Sequence, residues 1–135
     1  MKSIMLLAAA AALSVATTAR ADALPPAVHA GSASYVSGGI GKTEADAMRQ
    51  ARSEFPLMLM MSQSNGGNFV ADVDLRIVSA SGQAVLHSAN AGPIVLVQVP
   101  DGRYQIAARF EGKTLTRDVD VASAKHQVVY LNFPT

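Results

Sequence analysis

The chain contains no cysteine and no tryptophan, and only 5% of its 135 residues are aromatic. Without Cys there is no disulfide framework, no thiolate metal site, no Cys nucleophile and no bacterial lipid anchor on Cys. A strong charge of either sign is also lacking. Eleven Lys and Arg against ten Asp and Glu leave a formal net charge of +1. That balance gives no broad basic field, which removes nucleic acid from the expected partners. No apolar run approaches the roughly 20 residues needed to span a bilayer. What is present is a chain long enough for one domain, 50% hydrophobic and 16% charged, a composition that opposes disorder.

The N-terminus accounts for much of that apolarity. Residues 1–21 read as a secretory signal: Lys2 is the positive n-region, Ile4 to Val15 the apolar h-region, and Ala19-Arg20-Ala21 an A-x-A cleavage site. Ala21-Asp22-Ala23 is a second candidate site. Cleavage after Ala21 takes Lys2 and Arg20 from the basic residues and no acidic one, leaving a net charge of −1 on 114 residues. The expectation is a periplasmic or secreted domain, soluble after cleavage, with no transmembrane anchor. With no Cys to staple it, core packing alone must hold it.

Residues 22–34, with Pro25-Pro26 and little periodicity, read as a flexible leader. Residues 35–68 read as a glycine-rich loop or broken short strand (35–41), a helix and a first strand. Residues 43–55 have apolar positions at helical spacing. Thr43 is the expected N-cap, Glu44 and Asp46 lie in the first turn, and Pro56 follows as the stop. Residues 57–61, Leu-Met-Leu-Met-Met, suit a strand buried on both faces. From there the period is two. Val73, Leu75 and Ile77 alternate with Asp72, Asp74 and Arg76, and Tyr104, Ile106, Ala108 and Phe110 with Gln105, Ala107, Arg109 and Glu111. Pro100-Asp101-Gly102 is a tight turn, with Pro fixing φ and Gly accepting a positive φ. The count is about seven strands with turns every 8–12 residues, which predicts a mainly β, antiparallel, Ig-like sandwich with one N-terminal helix.

Ala71-Asp72-Val73-x-Leu75-x-Ile77, Gly92-Pro93-x-x-Leu96-Val97-x-Val99-Pro100-x-Gly102-x-Tyr104 and Glu111-Gly112-Lys113-Thr114 together resemble the carboxypeptidase regulatory-like domain. The upstream glycine loop and helix resemble small exported proteobacterial proteins that carry this domain alone. The resemblance implies a transthyretin-like (prealbumin-like) β-sandwich over residues 69–135 and a non-catalytic accessory role. The peptidase of that family is a separate domain, and none of His29, His87 and His126 is followed by Glu three residues later.

No catalytic constellation emerges. Gly41-Lys42-Thr43 opens the helix as a phosphate loop would, but the pattern needs Gly at position 36, which is Val36. Asp72, Asp74, Asp118 and Asp120 suit the solvated face of two strands better than a carboxylate pair or Ca²⁺ site. The three His have no zinc spacing, no G-x-S-x-G elbow exists, and Met58, Met60 and Met61 suit core packing better than a soft-metal site. No metal or cofactor is expected, and the chain is not expected to be an enzyme. The expected role is a binding or structural module of the cell envelope, with an unknown protein or envelope polymer as partner and strand addition or loop contact as the mode. Candidate loops are 64–68, 89–92 and 100–103. The alternative is a small-ligand carrier using the glycine loop and helix N-terminus. Candidate binding residues are Gly39, Gly41, Lys42, Thr43, Asp101 and Arg103. The oligomeric state is not specified by any of these features.

Overall fold

The computed structural model describes residues 24–64 and 67–134. The expected signal segment, residues 1–21, lies outside them, as do residues 65 and 66 of the expected loop 64–68. The described residues are mainly β, with ten strands in two sheets and one short helix. The strands are β1 Val28–Ala30, β2 Ala33–Gly38, β3 Leu57–Gln63, β4 Asn68–Phe69, β5 Val73–Ser79, β6 Ala84–Ala91, β7 Ile94–Gln98, β8 Gly102–Phe110, β9 Lys113–Val121 and β10 Gln127–Phe133. The helix α1 is Lys42–Gln50 and runs into a 3-10 turn at Ala51–Glu54.

The first sheet has the order β1-β2-β7-β3-β10, with the short β4 also on β3. The second has the order β6-β5-β8-β9. The two face each other across one core. Leu57, Leu59, Met61, Val95, Val97, Leu131 and Phe133 come from the first sheet. Leu75, Ile77, Ile106, Ala108, Val119 and Val121 come from the second. These are the inward positions of the period-two segments. At about 1.5–3 kcal/mol for each large side chain buried, they supply the driving force that disulfides do not.

Four expectations change. Residues 22–34 are not simply a leader, because β1 and the start of β2 lie in them. β1 is wholly exposed, so it carries no hydrophobic alternation, and it exists through pairing with β2 (Val28 opposite Tyr35). The pairing is not all antiparallel. β10 lies parallel to β3 in unbroken register from Gln127–Leu57 to Phe133–Gln63. All of the second sheet separates these two strands in sequence, so no local signal marks their pairing. The strand count is ten, not seven, because β1, β2 and β4 add to the expected set. The expected loop at 89–92 is also mostly strand, since β6 runs on to Ala91.

β3 is buried on both faces, as its sequence implies. Leu57, Leu59 and Met61 enter the core between the sheets. Met58 and Met60 face the other way and meet α1. There Met48, fully buried, and Ala45 and Ala51 pack on Val36, Met58, Ile94 and Leu96. A nine-residue helix is marginal alone, and this contact holds it in place. Phe55 is already extended (φ −128°, ψ 143°), as a residue before proline prefers. Phe55 thus stops the 3-10 turn, and the regular helix has already ended at Gln50, five residues before the expected boundary.

Candidate functional site

Three of the expected binding residues, Gly39, Gly41 and Lys42, line one surface cleft of about 430 Å³. Asp46, Arg49 and Phe69 complete its wall. That volume lies within the range of small-ligand sites. The cleft sits where α1 starts and β4 ends.

The loop leading into α1 is built around Glu44. Its Oε1 accepts the Gly39 N–H at 2.8 Å and the Ile40 N–H at 3.3 Å. A Cβ at Gly38 would come within 2.6 Å of that same oxygen, and one at Gly39 within 2.9 Å of the Ile94 side chain. The glycines thus let a strand end, a carboxylate and a core side chain crowd together. Gly41 is the N-cap residue at φ 90° and offers no side-chain cap. Thr43 is not the cap. It is exposed in the first turn, because the helix begins at Lys42. The resemblance to a phosphate loop has a structural explanation here: the loop amides at Gly39 and Ile40 already bind an anion, the protein's own Glu44.

On the rim, Asp46 accepts from Lys42 Nζ at 2.6 Å and from Arg49 Nη1 at 3.0 Å. The Lys42 hydrogen bond, with Arg49 beside it, holds the Asp46 carboxyl below its usual range. The Arg49 guanidinium carbon stands 5.8 Å from the centroid of Phe69, within cation–π reach. Two cations and two carboxylates (Glu44 and Asp46) leave these four side chains with no formal net charge.

Phe69 also marks the edge of a larger surface. It is opposite Ser62 on β3, and Ser62 is opposite Asn132 on β10. One step back, Met60 is opposite Tyr130. These positions share the outer face of the first sheet, beyond the part that α1 covers. Ser62 Oγ donates to Asn132 Oδ1 at 3.0 Å. Phe69 is 42% exposed and Tyr130 64%, and no other Phe or Tyr of the chain is comparably exposed. The two rings lie two strands and two residues apart, about 12 Å at usual sheet spacings. Sequence reading missed both. Phe69 stands beside a glycine turn with no periodicity, and Tyr130 within a strand rich in apolar residues.

Asp101 and Arg103 are at the other end of β7, the length of that five-residue strand from Ile94 and Gly39. Both have partners within the fold. Asp101 Oδ1 accepts the Ser123 N–H at 2.8 Å. Arg103 donates from Nε and Nη2 to the two carboxylate oxygens of Asp120, at 2.8 and 3.3 Å. That pairing pulls the Asp120 carboxyl below its ordinary range. Asp118 accepts from Gln105, and Asp74 pairs with His87 at 2.9 Å. Asp74, Asp118 and Asp120 are therefore members of cross-strand pairs on the outer face of the second sheet. Among the described residues, no three of His, Asp and Glu come together in a way that could hold a metal ion. No helix among them is long and apolar enough to cross a membrane.

Residues 56–132, from the start of β3 almost to the end of β10, match the model of the Rhizobiales growth-associated tandem repeat domain. The chain belongs to that family. No curated protein matches it. Membership in the Rhizobiales growth-associated family overturns the resemblance to the carboxypeptidase regulatory-like domain. The residues that suggested it have general physical roles. Pro100-Asp101-Gly102 reverses the chain between β7 and β8, and Tyr104 is the first inward side chain after that turn. The Tyr104 hydroxyl donates back to Pro100 O at 2.7 Å. Turn residues followed by an inward ring are general β-fold chemistry and do not mark one family. The family match includes Asp101, Arg103, Phe69 and Tyr130. It leaves out β1, β2 and α1, and with them Gly39, Gly41, Lys42 and Thr43.

Proposed function

We propose that the chain is an exported, non-catalytic binding module of the cell envelope. Its binding face is the outer side of the first sheet between Phe69 and Tyr130, extended by the cleft at the start of α1. The observation that carries this reading is the placement of the two exposed rings. In a chain with seven Phe and Tyr, the two left open to solvent share one face of one sheet beside a cleft. Export rests on the basic, apolar and A-x-A pattern of residues 1–21. The word "growth" in the family description accords with an envelope role. The carrier reading has less behind it, because Glu44 fills the loop amides that a small anion would use.

Strand addition has limited room. The β9 edge lies against β10, where Lys113 Nζ donates to Pro134 O at 2.9 Å and the Gln127 amide donates to Asp120 O. At the other end of the first sheet the open edge is β1, only three residues long. Face binding therefore suits this architecture better than edge binding. A photo-crosslinking amino acid at position 69, compared in cells with one at Ala107 on the outer face of the second sheet, tests the reading. Position 69 is expected to give discrete envelope adducts and position 107 none. No adduct at 69, or the same adducts at both, overturns it.

A further inference from the structure

Resting on that binding reading, we propose that the ligand of the Phe69–Tyr130 face is a neutral glycan chain. Three observations on this surface select that chemistry. The first is the pair of exposed rings on a pleated sheet face, one on β4 and one on β10. An aromatic face offers apolar area of low conformational cost to the C–H side of a sugar ring. The second is the polar strip between them. Ser62 and Asn132 stand hydrogen-bonded across the β3–β10 pair, and a hydroxyl and a primary amide together both donate and accept, as sugar hydroxyls do. The third is charge. Lys42 and Arg49 are matched by Glu44 and Asp46 and bonded to Asp46 at 2.6 and 3.0 Å. With no net charge on these four side chains a charged ligand gains no net attraction here, whereas a neutral hydroxylated one can bond to their free lone pairs and N–H groups. The complementarity is to a neutral, polar, ring-bearing polymer, not to an anionic lipid or an acidic peptide.

The size of the surface points the same way. The rings are about 12 Å apart, with Met60 and Ser62 between them, so a single sugar ring cannot meet both and a short oligosaccharide can. The cleft beside Phe69, about 430 Å³, would receive the substituent of one sugar unit next to Arg49 and Asp46.

The test uses the full chain labelled with ¹⁵N and two neutral probes, the tetramer of N-acetylglucosamine and maltotetraose. At least one is expected to shift amide signals in β3, β4 and β10 and in the first turn of α1, leaving the second sheet unmoved. Phe69→Ala and Tyr130→Ala, both at exposed positions, are expected to melt as the parent does. Each should weaken binding about fivefold or more, the usual scale of one lost aromatic contact. Shifts mapping to the second sheet, no binding of either tetramer, or affinity unchanged in both variants overturns the proposal. Concentration-dependent signal changes without glycan that vanish in the variants would make a second copy of the chain the occupant, and also overturn it. If crosslinking at position 69 succeeds while both tetramers fail, the binding face stands and the glycan does not. Protease-sensitive adducts would then identify a protein partner.

Discussion

At Glu44 one carboxylate takes up the Gly39 and Ile40 amides and fills the space that a side chain at Gly38 would need. Glu44→Ala leaves two donors without a protein acceptor, and the loss expected from comparable helix-end bonds is about 1–2 kcal/mol. Glu44→Gln keeps the accepting oxygen and should lose less than half of that. Urea unfolding of the two variants beside the parent measures the difference. Tyr104 gives a second test, through pH. Burial, followed by the nearby Asp101 charge, raises its phenol pKa above its ordinary value of 10.0. Below pH 10 the folded and unfolded chains both hold that proton. Above it the unfolded chain releases the proton first, so stability falls as pH rises toward the folded value. Tyr104→Phe should cost about 1 kcal/mol at neutral pH, for the bond to Pro100 O, and should flatten the loss above pH 10. Neither role shows in local sequence. A helix carboxylate looks the same whether it faces solvent or reaches back five residues. Tyr104 was readable as an inward ring after a turn, because Pro100, Gly102 and period-two alternation fix its direction.

Elements whose signal is their own periodicity were legible. β5, β8 and much of β9 follow the alternation of their residues, and β3 lies between two apolar layers as its unbroken run requires. Elements that exist through a partner were not. β1 is three exposed residues, and β10 gains its parallel place only when β3 is beside it. α1 is intermediate: its apolar spacing was readable, while its start was set by Gly41 at φ 90° and its last turns tighten into the 3-10 segment that the extended Phe55 stops. The candidate site divides in the same way. Its cleft residues stood out as a glycine-rich loop before a helix, whereas Phe69 and Tyr130 are brought onto one face only by the β4–β3–β10 pairing. The helix depends on packing, so Met48 carries much of its attachment. Met48→Ala is expected to cost about 2–5 kcal/mol, as for other large buried side chains cut to Ala. Hydrogen exchange in α1 should accelerate more than in β5 and β8, because the lost contact lies on the helix side of the first sheet. Uniform acceleration across both sheets would show instead that α1 and the sheets open as one unit.

For the molecule as a whole, the family-matched segment 56–132 supplies all of the second sheet but only β3, β4, β7 and most of β10 of the first. On its own that set leaves β7 as a bare edge along Ile94–Gln98, the strand that β2 pairs with in the full chain. It also uncovers Met58, Ile94 and Leu96, three buried side chains that α1 and β2 shield. An open edge beside an exposed apolar face is the arrangement that folded proteins avoid, because it templates pairing with another chain. In this protein residues 33–51 close it: β2 satisfies the edge, and α1 covers the face behind it. The expected consequence is that segment 56–132 alone is either largely unfolded or self-associated in conditions where the full chain is folded. Circular dichroism with light scattering across a concentration series checks this. Adding residues 24–55 back on the same chain should restore a cooperative melt. A segment 56–132 that melts cooperatively as a monomer would mean that β7 tolerates an open edge, and that β2 and α1 serve the cleft and not the fold.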